Sequence, residues 1–485
     1  MRCKAGLFSR FVAPAEITFD GSNGATINVG GSSRSGTVIY TGSGHTTSRQ
    51  FNMAGTTGGM TLDASGTGAL VLTTAISTSV SGAKTVTLTG TSTYGNALAG
   101  ISPTHNPVGL TKSGTGKWRL TGASSHTGAS VVLDGTIVIA TNAPSSGNGA
   151  FGYSQTGGLG SNSSPVVVLG SDAESSSGTV AMLLDSGALF GRLVTIPALG
   201  TGGTQSVVVG GENTTGTTTF QSGMTFFVNR NITLQAAAGG TAEFANGWSS
   251  GVPGDGGPLA AAIAVGSSGN TGTVLLSGNL STSETIEINY GLFKATSTVS
   301  ATNGITVDGS GAEFNFSGGA AMGSALTLTQ GTLSGSGEIS SAVTVGTNAT
   351  LSPGDPVGSQ AFSGGLTLAS GGTYRWQINN WTGSAGTGFD QLAVSGDDLS
   401  ITATSGSTFT LKIVGLTSGN APGAVPNFDN TTSKSFTIAT SGTLTGFAAN
   451  KFTINDSEFT NNNDLDGGTW SLSDSGDDIV LTFTP

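Results

Sequence analysis

Cysteine is nearly missing from this sequence. Cys3 is the only one among 485 residues, so no disulfide forms within the chain and a disulfide-stapled module is excluded. Charge is scarce as well: 9% of residues, against roughly 25% in an ordinary soluble domain. With 36% hydrophobic residues, so low a charge density excludes charge-driven disorder. Lys, Glu, Arg and Gln are too few for a charge-laced helical bundle. Proline numbers 13 and glycine shows no every-third spacing, which excludes collagen. No run of 18 apolar residues occurs, so no membrane-spanning helix is expected. The net charge of −11 with no basic stripe argues against nucleic acid as a partner.

What the chain has in quantity is glycine, 81 residues, together with Ser, Thr, Ala and Val. This is the composition of many short strands joined by tight turns. Arg2 and Lys4 resemble a charged leader, but Ala5-Gly6-Leu7-Phe8 is cut short by Ser9-Arg10, so no signal peptide is visible. The start reads as a mis-set initiation site or a fragment boundary, and export is an inference from composition.

The sequence repeats itself. Thr115 to Gly135 can be laid without a gap on Thr271 to Gly291, and Ser65 to Leu72 on Ser113 to Leu120. The unit is a Gly turn, a short strand, a polar loop, a strand, a Gly turn and another strand. Within strands such as Ala129 to Ile139 and Ser324 to Leu333, Val, Ile and Leu alternate with small polar residues, which places the apolar set on one face. Hairpin sandwiches and solenoids both satisfy alternation. Self-similar units, a Thr/Ser outer face and the lack of clear hairpin pairs favour a solenoid, whose rungs bury a continuous interior only when stacked. The expected organisation is an N-terminal solenoid segment over 1–105, a repeat-containing solenoid over 106–361 and a cap over 362–485. The cap is expected to be β-sandwich-like or irregular, because Trp376, Trp381 and Trp470 need a thicker core than a narrow coil offers.

Gly109-Leu110-Thr111-Lys112-Ser113-Gly114-Thr115-Gly116-Lys117-Trp118-Arg119-Leu120-Thr121-Gly122, continuing to Thr127-Gly128, resembles the autotransporter-associated β-strand repeat, also called the passenger-associated transport repeat. Ser124 stands where that motif usually has Asn, and His126 where it has an aromatic. Leu333 to Ile339, Leu351 to Asp355, and Phe389-Asp390-Gln391-Leu392-Ala393-Val394 resemble downstream portions of the same passengers. The resemblance implies a right-handed parallel β-helix at or outside a Gram-negative-type cell surface, with mostly adhesive or stalk-like members and no catalytic residues to carry over. The partners it implies are surface glycans or neighbouring cell-surface proteins.

Several constellations were candidates for chemistry. Asn462, Asp464, Asp466 and Gly467 have the spacing that opens a calcium loop, but Ser473 stands where the closing Glu belongs. An Asx-rich turn is the plainer reading, and a structural Ca²⁺ is the alternative; no other cofactor is expected. Trp118 with Arg119 is a candidate glycan contact, set against simple packing of the ring. A polysaccharide lyase or hydrolase is the enzymatic alternative. It requires acids such as Asp172, Asp185, Asp308, Asp355 and Asp390 to converge with Arg or Lys in one groove. Asp397-Asp398 reads as a solvated turn. Gly254-Asp255-Gly256-Gly257-Pro258 lacks a serine nucleophile and reads as a loop. His45, His105 and His126 lack metal-ligand spacing, and His126 is expected to pack at the surface.

Overall fold

The structure is a computed structural model. It describes residues 11–12, 26–105, 107–143, 151, 166–171, 173, 176–185, 187–197, 202–227, 230–251, 262–319, 321–395 and 398–485. Short β-branched runs punctuated by glycine form an all-β parallel β-helix, and the hairpin sandwich is set aside. The chain divides into two compact units, Met1–Ala261 and Ala262–Pro485.

In the first unit one stack runs Gly36–Tyr40, Met60–Ala64, Lys84–Thr89, Val108–Lys112, Ser130–Val132, Val166–Leu169 and Leu193–Ile196, each strand parallel to the next. A second stack runs His45–Thr47, Leu70–Leu72, Asn96–Leu98, Lys117–Leu120, Gly135–Ile139, Thr179–Leu184, Ser206–Gly211 and Ile232–Ala236. Parallel in-register pairing turns alternation into columns. Leu62, Leu88, Lys112, Val132 and Leu169 share one inward column. Trp118, Ile137, Met182, Val209 and Leu234 share another. Thr37, Thr61, Thr87 and Thr111 form an outward one. Each buried Leu, Ile, Val or Phe contributes roughly 1.5–3 kcal/mol. Further along, Phe190, Phe220, Phe244 and Trp248 make an inward aromatic ladder with ring centroids 5.8, 4.7 and 4.9 Å apart.

Lys112 is the exception in its column, and the structure satisfies it. The side chain is fully buried, and its ammonium donates to the carbonyl oxygens of Ser113 (2.9 Å), Gly114 (2.6 Å) and Asp134 (2.8 Å). Three acceptors use all three donors of the group. Burial lowers its pKa to about 8, opposed by the nearby Asp134 carboxylate. The ammonium thus ties the corner after one rung to the corner after the next. Gly135 is glycine for this reason: its φ is +66°, and a Cβ there would stand 2.4 Å from the Gly114 oxygen and 2.8 Å from the Lys112 nitrogen.

In the second unit a parallel stack runs through Gly291–Ala295, Ala349–Pro353, Thr373–Ile378, Phe409–Gly415 and Phe452–Asn455, with the long bent strands Ile305–Phe316 and Leu326–Gly335 between the first two. Two other faces stack Ser359–Phe362, Gln391–Val394 and Lys434–Ser441, and Val343–Val345, Leu366–Leu368, Leu399–Ile401 and Leu444–Thr445. Parallel rungs therefore run past residue 362. Lys434–Ser441 and Thr469–Ser475 each pair antiparallel with Asp478–Thr484. Trp376, Trp381 and Trp470 share one aromatic cluster. Trp381, on a loop between rungs, packs against Phe436, Trp470 and Phe483 of the antiparallel strands at 5.1, 5.9 and 5.7 Å.

Replacing Lys112 by Met leaves three corner carbonyls without their donor. The expected cost is about 2–4 kcal/mol, read as a fall in the thermal midpoint by circular dichroism. Thr111→Ala on the outer face of the same strand is expected to change stability by no more than about 0.5 kcal/mol.

Candidate functional site

Trp118 and Arg119 are neighbours on one strand, and neighbours on a strand point to opposite faces. Trp118 points inward, fully buried, with its indole N–H donating to the Thr89 carbonyl oxygen at 2.9 Å. This corrects the expectation of a sugar-stacking platform: no face of the ring is available to a ligand. Arg119 points outward, but its guanidinium is engaged by the carboxylates of Asp185 and Glu212, and Lys117 pairs with Glu212 as well. Rungs that are neighbours in space bring together residues 66 and 93 positions apart in the chain.

This four-residue cluster is where acids and bases do converge, and its groups neutralise one another. Of the other acids proposed for an enzymatic groove, Asp172 lies outside the described residues. Asp308 accepts from the Gln330 amide at 3.1 Å, and Asp355 pairs with Lys294. Asp390 is fully buried; its two carboxylate oxygens accept from the backbone N–H groups of Gly358 and Gln377, both at 2.9 Å. Burial drives its pKa well above the usual carboxylate range, against the pull of those two hydrogen bonds. It clamps backbone and faces no solvent groove. The four described acids, Asp185, Asp308, Asp355 and Asp390, thus occupy separate places.

His126 is also inside, contrary to the surface position expected for it. Its Nε2 lies 3.2 Å from the Ser130 hydroxyl. Burial, reinforced by the Arg192 charge, pushes its pKa down to about 4. Sequence spacing gave no signal of the buried position, because the residue sits in the polar loop between strands.

Asn462, Asp464 and Asp466 lie at a turn. The Asp466 N–H donates to the Asp464 carboxylate at 3.0 Å, and the Asn430 amide donates to the Asp464 carbonyl oxygen. Asp477 and Asp478 instead accept from the Leu444 and Ser441 N–H groups. Among the described residues no three His, Cys, Asp or Glu side chains gather as a metal site, and the Asp464–Asp466 contact is that of an Asx turn. Gly254 to Pro258 and Asp397 lie outside the described residues.

Residues 110–139 match the family described as Passenger-associated-transport-repeat. They hold the buried Lys112, the inward Trp118 and the Gly135 corner. The chain carries a passenger-associated transport repeat. A stretch of 89 residues, 17% of this chain, is 42% identical to the "Adhesin BmaC autotransporter" of Brucella suis biovar 1 (strain 1330). The chain spans about 2% of that relative's length. Seen on the structure, the motif's Lys and its glycines are the interior fastening of one rung corner. Among the described residues no helix is long and apolar enough to cross a membrane.

Two outcomes test this assignment of the repeat residues. Trp118→Ala is expected to cost about 3–5 kcal/mol, read as a lowered thermal midpoint; an unchanged midpoint would place the ring outside. A histidine held at about pKa 4 rather than the ordinary 6.5 is protonated more readily in the unfolded chain. Its contribution is fully present above pH 6.5 and lost as pH falls from 6.5 to 4, on the order of 3 kcal/mol in all. His126→Phe is therefore expected to flatten this acid limb in melts taken between pH 4 and pH 7.5.

Proposed function

We propose that this protein is a non-catalytic passenger at a cell surface, where the β-helix serves as scaffold and its outer face adheres to glycans or to neighbouring surface proteins. The observation that carries the reading is the passenger repeat at 110–139, built into a parallel coil, together with the likeness to an adhesin. The outer face suits the role. Its columns are hydroxyl-rich, as in Thr37, Thr61, Thr87 and Thr111, and offer many weak contacts at low charge. The convergent ionisable groups, Lys117, Arg119, Asp185 and Glu212, are consumed in ion pairs with one another, an arrangement that supports a scaffold over acid–base chemistry at this cluster.

The test coats beads with the purified chain. They are expected to be retained on cells or immobilised glycans above the level of uncoated beads, while a polysaccharide panel incubated with the chain yields no new reducing ends or unsaturated sugars. Product formation abolished by Asp185→Asn with Glu212→Gln would overturn the reading in favour of an enzyme.

A further inference from the structure

Two loops leave the regular coil of the second unit, one between Thr373–Ile378 and Gln391–Val394, the other between Phe409–Gly415 and Lys434–Ser441. They are joined to one another. The Trp381 N–H donates to the Pro426 carbonyl oxygen at 3.0 Å, the Asn379 amide nitrogen to Asn420 Oδ1 at 2.7 Å, and the Asn427 amide nitrogen to Asn380 Oδ1 at 3.0 Å. Beneath them Trp381 is buried, with Phe428 edge-on at 4.7 Å. The first loop is closed on itself by the Asn379 and Asn380 N–H groups, which both donate to the Gly388 carbonyl oxygen. Between the loops lies a recess of about 300 Å³, lined by Asn379, Asn380, Thr387, Gly388, Ser418 and Pro426.

No lining side chain carries a charge. The amides are oriented before any ligand arrives. Asn380 Oδ1 accepts from the Thr382 N–H, the Thr382 hydroxyl and Asn427, which sets its NH₂ as the remaining donor. Asn379 spends an N–H on Asn420, which leaves its carbonyl oxygen as acceptor. The exposed Ser418 hydroxyl both donates and accepts, and the Thr387 hydroxyl, which donates to the Ser384 carbonyl oxygen at 3.2 Å, adds an acceptor. A fixed donor, fixed acceptors and an adaptable hydroxyl match a ligand whose own groups are hydroxyls. An anionic or cationic ligand would find no counter-charge. Orientation in advance removes part of the ordering cost of binding, and few convergent polar groups in a concave site are the usual form of a small-ligand pocket.

We propose that this recess is a binding site for a neutral saccharide, the point at which the second unit grips a glycan. The proposal rests on the adhesive reading given above. The test titrates the full chain with neutral oligosaccharides of glucose, galactose, mannose and N-acetylglucosamine, alongside sialylated and sulfated ones, and measures bead adhesion in parallel. Two variants are compared: Asn380→Ala, which removes the fixed donor, and Ser418→Trp, which fills the mouth from an exposed position without touching the loop bonds. The expected result is binding of a neutral member, weakened at least tenfold in both variants, with the wild-type melting temperature kept by Ser418→Trp.

If beads adhere but no neutral sugar binds, or if Ser418→Trp binds it undiminished, the recess is not the site and the adhesive reading stands. Preference for the charged glycans likewise overturns the proposal alone. If the chain neither adheres nor binds any glycan, both readings fall.

Discussion

Everything in this structure depends on parallel pairing in register between successive rungs. A strand residue is inward or outward by alternation, but only register makes inward residues of successive rungs stand over one another. One slipped residue would carry every Leu of a strand to the outer face and every Thr to the core. The columns Leu62–Leu88–Lys112–Val132–Leu169 and Trp118–Ile137–Met182–Val209–Leu234 are the places where this constraint can be read directly.

The passenger repeat adds a second level of constraint, at the corners. A corner exposes carbonyl oxygens that no neighbouring strand satisfies, and a buried carbonyl without a donor is costly. Lys112 brings its ammonium to three of them, and the Trp118 indole takes the Thr89 oxygen. Both are large polar-tipped side chains with apolar stems, suited to fill the interior and end at a polar corner. Gly135 then has no room for a Cβ. The spacing from Lys to the Gly corner is thus the length of chain needed to wrap one rung around a single ammonium group.

In the second unit a recess lies where two loops leave the coil, around Asn379, Asn380 and Ser418. Trp381 supports those loops from below through aromatic contacts with Phe428 and Phe436. Asp390, at the end of the first loop, holds the N–H groups of Gly358 and Gln377, so the loop rejoins the coil at a fixed place.

The sequence by itself determined the fold class, the glycine corners, the low charge and the repeat, because period-two alternation and turn chemistry are local. It did not determine where single residues stand. Trp118 and Arg119 had to face opposite ways, yet which was inward depended on the phase of the strand against its neighbours. His126, placed in a polar loop by pattern, is interior because the rungs on either side close over it. Asp185 and Glu212 reach Arg119 only because rung lengths bring distant strands side by side. Parallel rungs continue past residue 362: Trp376 stands inward on the stacked strand Thr373–Ile378, while Trp381 is carried on a loop and Trp470 on a final antiparallel strand. Local pattern fixes what each strand can do; tertiary register alone decides which residues meet, since that depends on the length of chain between rungs.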